Sequence, residues 1–193
     1  HPLIATWAAA VPPASTDGAT TALRHAEYFA GWLEALARDA AQDARGLTDA
    51  LALEFANAER AWDTALRHER ADWLAAMRPA LVRYTELQGR WRDACTMLGA
   101  ALACDAAMRA LPALRLELLL NLSTLHYRLG DPHQCEALAR AALVPARSAG
   151  VPAKLIGALN NIGLALLNRG EAGQALPFFS EAAERARDCG ERR

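Results

Sequence analysis

The sequence has almost no excess of charge of either sign: 21 Lys and Arg stand against 22 Asp and Glu over 193 residues, a formal net charge of -1. Such a balance gives no electrostatic footprint for nucleic acid or an anionic membrane, so no direct nucleic-acid contact by this chain is expected. Long apolar runs are also lacking. The longest, Leu116 to Leu122 and Leu159 to Leu167, are interrupted by Glu117, Asn121, Asn160 and Asn161, and neither has the length needed to span a bilayer. Metal-ligand spacing is missing as well: His1, His25, His68, His126 and His133 form no H-x3-H pair, and Cys95, Cys104, Cys135 and Cys189 form no C-x-x-C pair. No cofactor and no metal are expected, and the glycines at 163, 170 and 173 lack the G-K-[ST] that grips a nucleotide phosphate. Four thiols in a chain with ample core material do not suggest a disulfide framework, so reduced cysteines in a cytoplasmic protein are expected. The opening "HPLIATWAAAVPPAS" has an apolar stretch without a basic leader, which reads as the start of an excised fragment rather than a signal peptide.

What the chain does contain is alanine and leucine. Apolar residues make up 53% of it, and Gly/Pro clusters are sparse between residues 20 and 190, which predicts an all-α protein. Residues 21–70 read as one helical pair. Leu23, Ala26, Phe29, Leu33, Leu36 and Ala40 recur every three or four residues, as do Leu51, Phe55, Ala58, Trp62 and Ala65, and each set marks a core-facing stripe. Gly46 and Thr48 separate the two, with Thr48 as the expected cap of the second helix.

Beyond residue 70 a pattern repeats. Aligning Gly89, Gly130 and Gly170, 41 and 40 residues apart, superimposes "GRWRDACTMLGAAL", "GDPHQCEALARAAL" and "GEAGQALPFFSEAA". The shared frame places Ala94, Cys135 and Ala175 together, then Leu98, Ala139 and Phe179, then Ala101, Ala142 and Ala182. Upstream it superimposes Leu81, Leu122 and Ile162, followed by Val82, Ser123 and Gly163. Small residues here let two helices approach, and large ones interlock them. Asp131 and Pro132 supply an N-cap and a first-turn proline after Gly130, and Gly150 with Pro152 closes the next helix. Asp72 is the expected cap of the first repeat, and Pro79 and Pro177 should each kink a helix or delay its start.

This frame resembles the tetratricopeptide (TPR) repeat: an apolar-Gly pair, a helix-breaking Gly, then A-x3-F and A. Residues 153–193 carry it best, 112–152 less fully, with His126 and Ala139 departing, and 71–111 least, with Arg78 and Val82 departing. HEAT-like repeats share the length of about 40, but the A-x3-F frame favours the tetratricopeptide pattern. The resemblance implies a right-handed superhelix of antiparallel helical hairpins, an α-α solenoid packed as one domain after the 21–70 pair. A second resemblance covers the N-terminal part. "HPLIATWA", "RHAEYFAGWLEAL" and "LALEFANAERAWDTAL" are similar to the winged-helix end and following helices of bacterial STAND-type ATPase transcriptional regulators. Glu54, Asn57 and Ala61 match that pattern, whereas Ala58, Glu59 and Arg60 depart from it. It implies that residues 1–20 are a tail or linker from an upstream module, and that the chain is a non-enzymatic sensor region with a protein or peptide partner.

The residues themselves offer little catalytic chemistry. Ser123 and His126 share a helical face, but Ser123 falls where the frame reserves a small packing residue, and Cys135 falls where it reserves an interhelical one. If first helices line a groove, Arg83, Glu86, Asn121, Thr124, Tyr127, Asn160, Asn161 and Leu164 face it. Asn121 and Asn161 occupy equivalent places. Their amides can bond the main chain of an extended peptide or bond neighbouring helices, and both readings stand at this point. Arg83 and Arg128 read as solvated charges rather than a carboxylate cradle. The alternative function is a small-molecule effector domain, with Trp32, Tyr84, Trp91 and Tyr127 as apolar walls.

Overall fold

Alanine and leucine are strong helix formers, and the residues that interrupt them here are few enough that each interruption can be read as a turn. The computed structural model describes residues 15–39 and 43–190. Among these the chain is all-helical: α1 (Ser15–Asp39), α2 (Ala44–Arg67), α3 (Ala71–Leu87), α4 (Trp91–Leu102), α5 (Asp105–Ala110), α6 (Pro112–Arg128), α7 (Pro132–Ser148), α8 (Pro152–Asn168) and α9 (Ala172–Gly190). The segment "HPLIATWA" lies outside the described residues. Helix α1 begins at Ser15, ahead of residue 21, so part of the expected tail is helical. The chain divides into two compact units, one up to Ala80 and one from Leu81 on, and the division falls inside α3 rather than at residue 70.

In the first unit α1 packs on α2. Ala26, Phe29, Ala30 and Leu33 from α1 are buried, as are Leu47, Leu51, Phe55, Ala58, Trp62 and Ala65 from α2. The expected α2 stripe therefore faces a core, and of the α1 stripe Ala26, Phe29 and Leu33 do so, Leu23 and Leu36 are half-buried, and Ala40 lies outside the described residues. The cap of α2 is not Thr48, which lies inside the helix and donates to the Ala44 carbonyl at 2.9 Å. Asp43 takes that role, its carboxylate accepting the Gly46 N–H at 2.7 Å. A carboxylate placed three residues before a free helix N–H satisfies it better than a hydroxyl already one turn in.

Turns between helices recur with one geometry. Glu69, Gly89, Gly130 and Gly170 have φ of 53°, 66°, 75° and 80°. After each, an N–H bonds a carbonyl five residues back: Arg70 to Ala65, Arg90 to Thr85, Asp131 to His126 and Glu171 to Leu166, at 2.8 to 2.9 Å. The left-handed residue itself bonds three back, to Leu66, Glu86, Tyr127 and Leu167 respectively. This double bond pattern satisfies carbonyls that a helix end leaves free and reverses the chain at once. Gly150, with φ of 64°, opens a fifth turn before Pro152. The helices α6, α7 and α8 each have 17 residues, roughly 25 Å of helix. Their length, not a loop, accounts for a repeat of about 40.

Asp131 caps α7 as expected, accepting the Gln134 N–H at 3.0 Å, with Pro132 in the first turn. Asp72 sits in the first turn of α3, held by Arg70 at 2.6 and 2.9 Å. Pro79 and Pro177 delay neither helix: α3 and α9 start upstream and continue through them, as α7 does through Pro145. The second helix of the first repeat is broken, because Cys104 is extended between α4 and α5. Pro112 forces Leu111 out of the helical region and starts α6.

The second unit buries most of the repeat frame, with Phe179 half-buried. Leu81, Leu122 and Ile162 are buried, as are Ala94, Cys135 and Ala175, and Ala101, Ala142 and Ala182. Helix α7 packs on α6 and α8, and α9 packs on α8. One cluster gathers Leu116, Leu119, Ala142, Ala146, Leu155, Leu159 and Ala182; a second gathers Ala139, Ile162, Leu166 and Ala175 with Phe178 and Phe179. Gly163 is a contact residue, for a Cβ there would lie 2.7 Å from the Phe179 ring. The same two frame positions hold Gly and Phe in the third repeat, Ser123 and Ala139 in the second, and Val82 and Leu98 in the first.

Two outcomes check this account. Glu69→Gly should raise stability by about 0.5–1 kcal/mol in urea melts, because a left-handed L-residue is strained and glycine is not. Gly163→Ala should cost about 1–3 kcal/mol through overpacking against Phe179, and Phe179→Leu in the same chain should recover part of that loss.

Candidate functional site

Helices α6 and α8 lie against each other and carry most of the expected groove residues. On α6 these are Asn121, Thr124 and Tyr127, and on α8 they are Asn160, Asn161 and Leu164; all six are half-buried. Arg83 stands on α3, exposed and without an ion pair among the described residues, and Glu86 is half-buried there. Thr124 and Asn161 are brought into direct contact: the Asn161 Nδ2 donates to Thr124 Oγ1 at 3.0 Å and also to Ser123 Oγ. Both hydroxyls donate in turn to the Leu120 carbonyl, at 3.3 and 3.1 Å. Cys135 on α7 completes the junction, its thiol donating to the Asn161 carbonyl at 3.5 Å.

Of the two readings open for the aligned asparagines, Asn161 therefore bonds neighbouring helices. It does so because α8 packs close enough to α6 for a short amide to reach the hydroxyls of the adjacent residues Ser123 and Thr124, both of which turn back to the Leu120 carbonyl. Asn121 is likewise engaged within the fold. Asn160, Tyr127 and Leu164 remain as the partly exposed members of the face, and Asn160 makes no side-chain hydrogen bond among the described residues.

The nucleophile candidates have other duties. Ser123 is fully buried and held by Asn161, while His126 Nδ1 lies 3.4 Å from Asp131 Oδ2. Cys135 is buried, and burial, with Asp131 and Glu136 nearby, pushes its thiol pKa up to about 11, away from a reactive thiolate. His25 is shifted below its ordinary value by burial and by Arg60, with Glu54 opposing. No group of three or more His, Cys, Asp or Glu among the described residues could hold a metal ion, and no helix there is long and apolar enough to cross a membrane.

Ion pairs tie the hairpins rather than form a reaction centre. Arg169, between α8 and α9, bonds Glu136 of α7 and Glu171, and Arg140 also bonds Glu136 at 2.7 Å. Burial works to raise the Glu136 carboxyl, but Arg169 and Arg140 together hold it below its ordinary value. Lys154 of α8 reaches Glu117 of α6 at 2.6 Å.

A site that sequence reasoning missed lies at the turn between α3 and α4. An open cleft of about 490 Å³ is lined by Gly89, Arg90, Trp91, Arg92, Asp93, Arg128 and Leu129. Arg128 thus has cationic company in Arg90 and Arg92 rather than in Arg83. The "GRWRD" run was visible, but nothing in its spacing says that the end of α6 arrives beside it. No family model matches the chain, and neither a curated protein nor a solved structure matches it.

Asn161→Ala should cost about 1–2 kcal/mol of stability in chemical unfolding, since two partly buried hydrogen bonds vanish together. Asn160→Ala, by contrast, should leave stability within about 0.5 kcal/mol of the parent.

Proposed function

We propose that this chain is a non-catalytic interaction and sensor domain of the tetratricopeptide (TPR) kind, which binds a protein or peptide partner within a larger bacterial signalling or transcription regulator. In this reading its hairpins belong to a right-handed superhelix, its setting is cytoplasmic, and other domains of that regulator supply the output. The observation that carries the reading is the repeat frame itself. Equivalent positions in three successive repeats are buried, while the turns between helices reuse one left-handed geometry. A frame spent on stacking leaves helix faces, not a converging set of acid, base and nucleophile, as the available working surface. Asn160, Tyr127 and Leu164 are the residues of that surface on α6 and α8, with Arg83 on α3 as a separate exposed charge.

The test is partner capture with this chain as bait, then calorimetric titration of the purified partner. Tyr127→Ala combined with Leu164→Ala should weaken binding tenfold or more while helical content by circular dichroism is retained. Unchanged affinity would reject this face, and saturable turnover of a small substrate by the chain would reject the reading as a whole.

A further inference from the structure

We infer that the cleft between the α3–α4 turn and the end of α6 receives an acidic segment of the partner peptide, a proposal that rests on the interaction-domain reading. The cleft's own charges point to the ligand. Three guanidinium groups, Arg90, Arg92 and Arg128, line it against one carboxylate, Asp93, and that carboxylate is taken by Arg90 at 2.6 Å. Arg92 and Arg128 are exposed and make no ion pair among the described residues. Helix dipoles do not favour an anion here, because the N-terminal end of α4 borders the cleft together with the C-terminal ends of α3 and α6, whose partial charges of about 0.5 are of opposite sign. The arginines decide it.

Position is fixed by backbone rather than by chance side-chain placement. Gly89 holds its left-handed conformation, and the Arg90 N–H is bonded to the Thr85 carbonyl at 2.8 Å, so Arg90 to Arg92 leave the turn in a set direction. The planar fork of arginine matches a carboxylate through two parallel hydrogen bonds, and arginine holds its charge at any relevant pH. Trp91 is half-buried and Leu129 borders the same space, so apolar surface is available for the neighbour of an acidic side chain.

The alternative occupant, a nucleic-acid backbone, needs a basic stripe that follows successive phosphates. This chain has a net charge of -1, so the positive spot is local, and at physiological salt its field reaches only about 8 Å. A cleft of about 490 Å³ suits a few side chains of a peptide.

The experiment is fluorescence anisotropy on the whole chain at 0.15 M salt with a labelled octapeptide of alternating glutamate and leucine. An octapeptide of alternating lysine and leucine and a short duplex oligonucleotide serve as comparison arms. The acidic peptide should bind, the lysine peptide should not, and Arg92→Ser with Arg128→Ser should weaken the acidic peptide tenfold or more. Both arginines are exposed, so the double variant should melt as the parent does. Equal binding of both peptides, unchanged affinity of the double variant, or tighter binding of the oligonucleotide would overturn the proposal. The captured partner separates the two readings: full affinity for the double variant, with loss in Tyr127→Ala/Leu164→Ala, overturns the cleft and leaves the interaction domain standing.

Discussion

A residue with positive φ at the end of a helix is the constraint on which the rest of this protein depends. A helix must satisfy its last carbonyls, and here the bond from five residues on does so while reversing the chain within three residues. Because the turns are so short, the successive helices α6, α7, α8 and α9 each pack on the next. Residues 40 apart arrive at like places, and for this reason Leu122 and Ile162, or Ala142 and Ala182, are buried together.

Much of this was legible in the residues. Glycine at 89, 130 and 170, with proline at 132 and 152, marks the turns unambiguously, since few other residues tolerate a left-handed backbone or start a helix so readily. The apolar stripes of α1 and α2 were equally plain. Glu69 was not legible, because a charged residue carries no signal for positive φ; only the bonds to Ala65 and Leu66 reveal that the α2–α3 turn is the same turn. The cap of α2 was misassigned to Thr48 because two polar residues compete locally, and Asp43 wins by standing before the helix instead of within it. The break between α4 and α5 has no visible cause in Ala103 and Cys104.

The candidate site divides in the same way. Repeat alignment found the asparagines and could not say which way the amide of Asn161 would be used, since that depends on the distance between α6 and α8. Arg90, Arg92 and Arg128 went unrecognised as a group for a related reason: Arg128 lies 36 or more residues from the other two, across the α4–α6 segment, and only packing makes it their neighbour. Local structure reads out of sequence directly, whereas a surface assembled from two hairpins must wait for the fold.

The pairing of Gly163 with Phe179 shows how far the likeness between repeats extends. At these two frame positions Gly163 meets the Phe179 ring, whereas the second repeat has Ser123 and Ala139 and the first has Val82 and Leu98. A helix grafted from one hairpin into another would bring the wrong half of the pair, leaving a hollow the size of a phenyl ring in one exchange and a collision in the other. The third hairpin is thus private in this contact: a small residue in place of Phe179 leaves Gly163 facing space, and any side chain in place of Gly163 meets the ring.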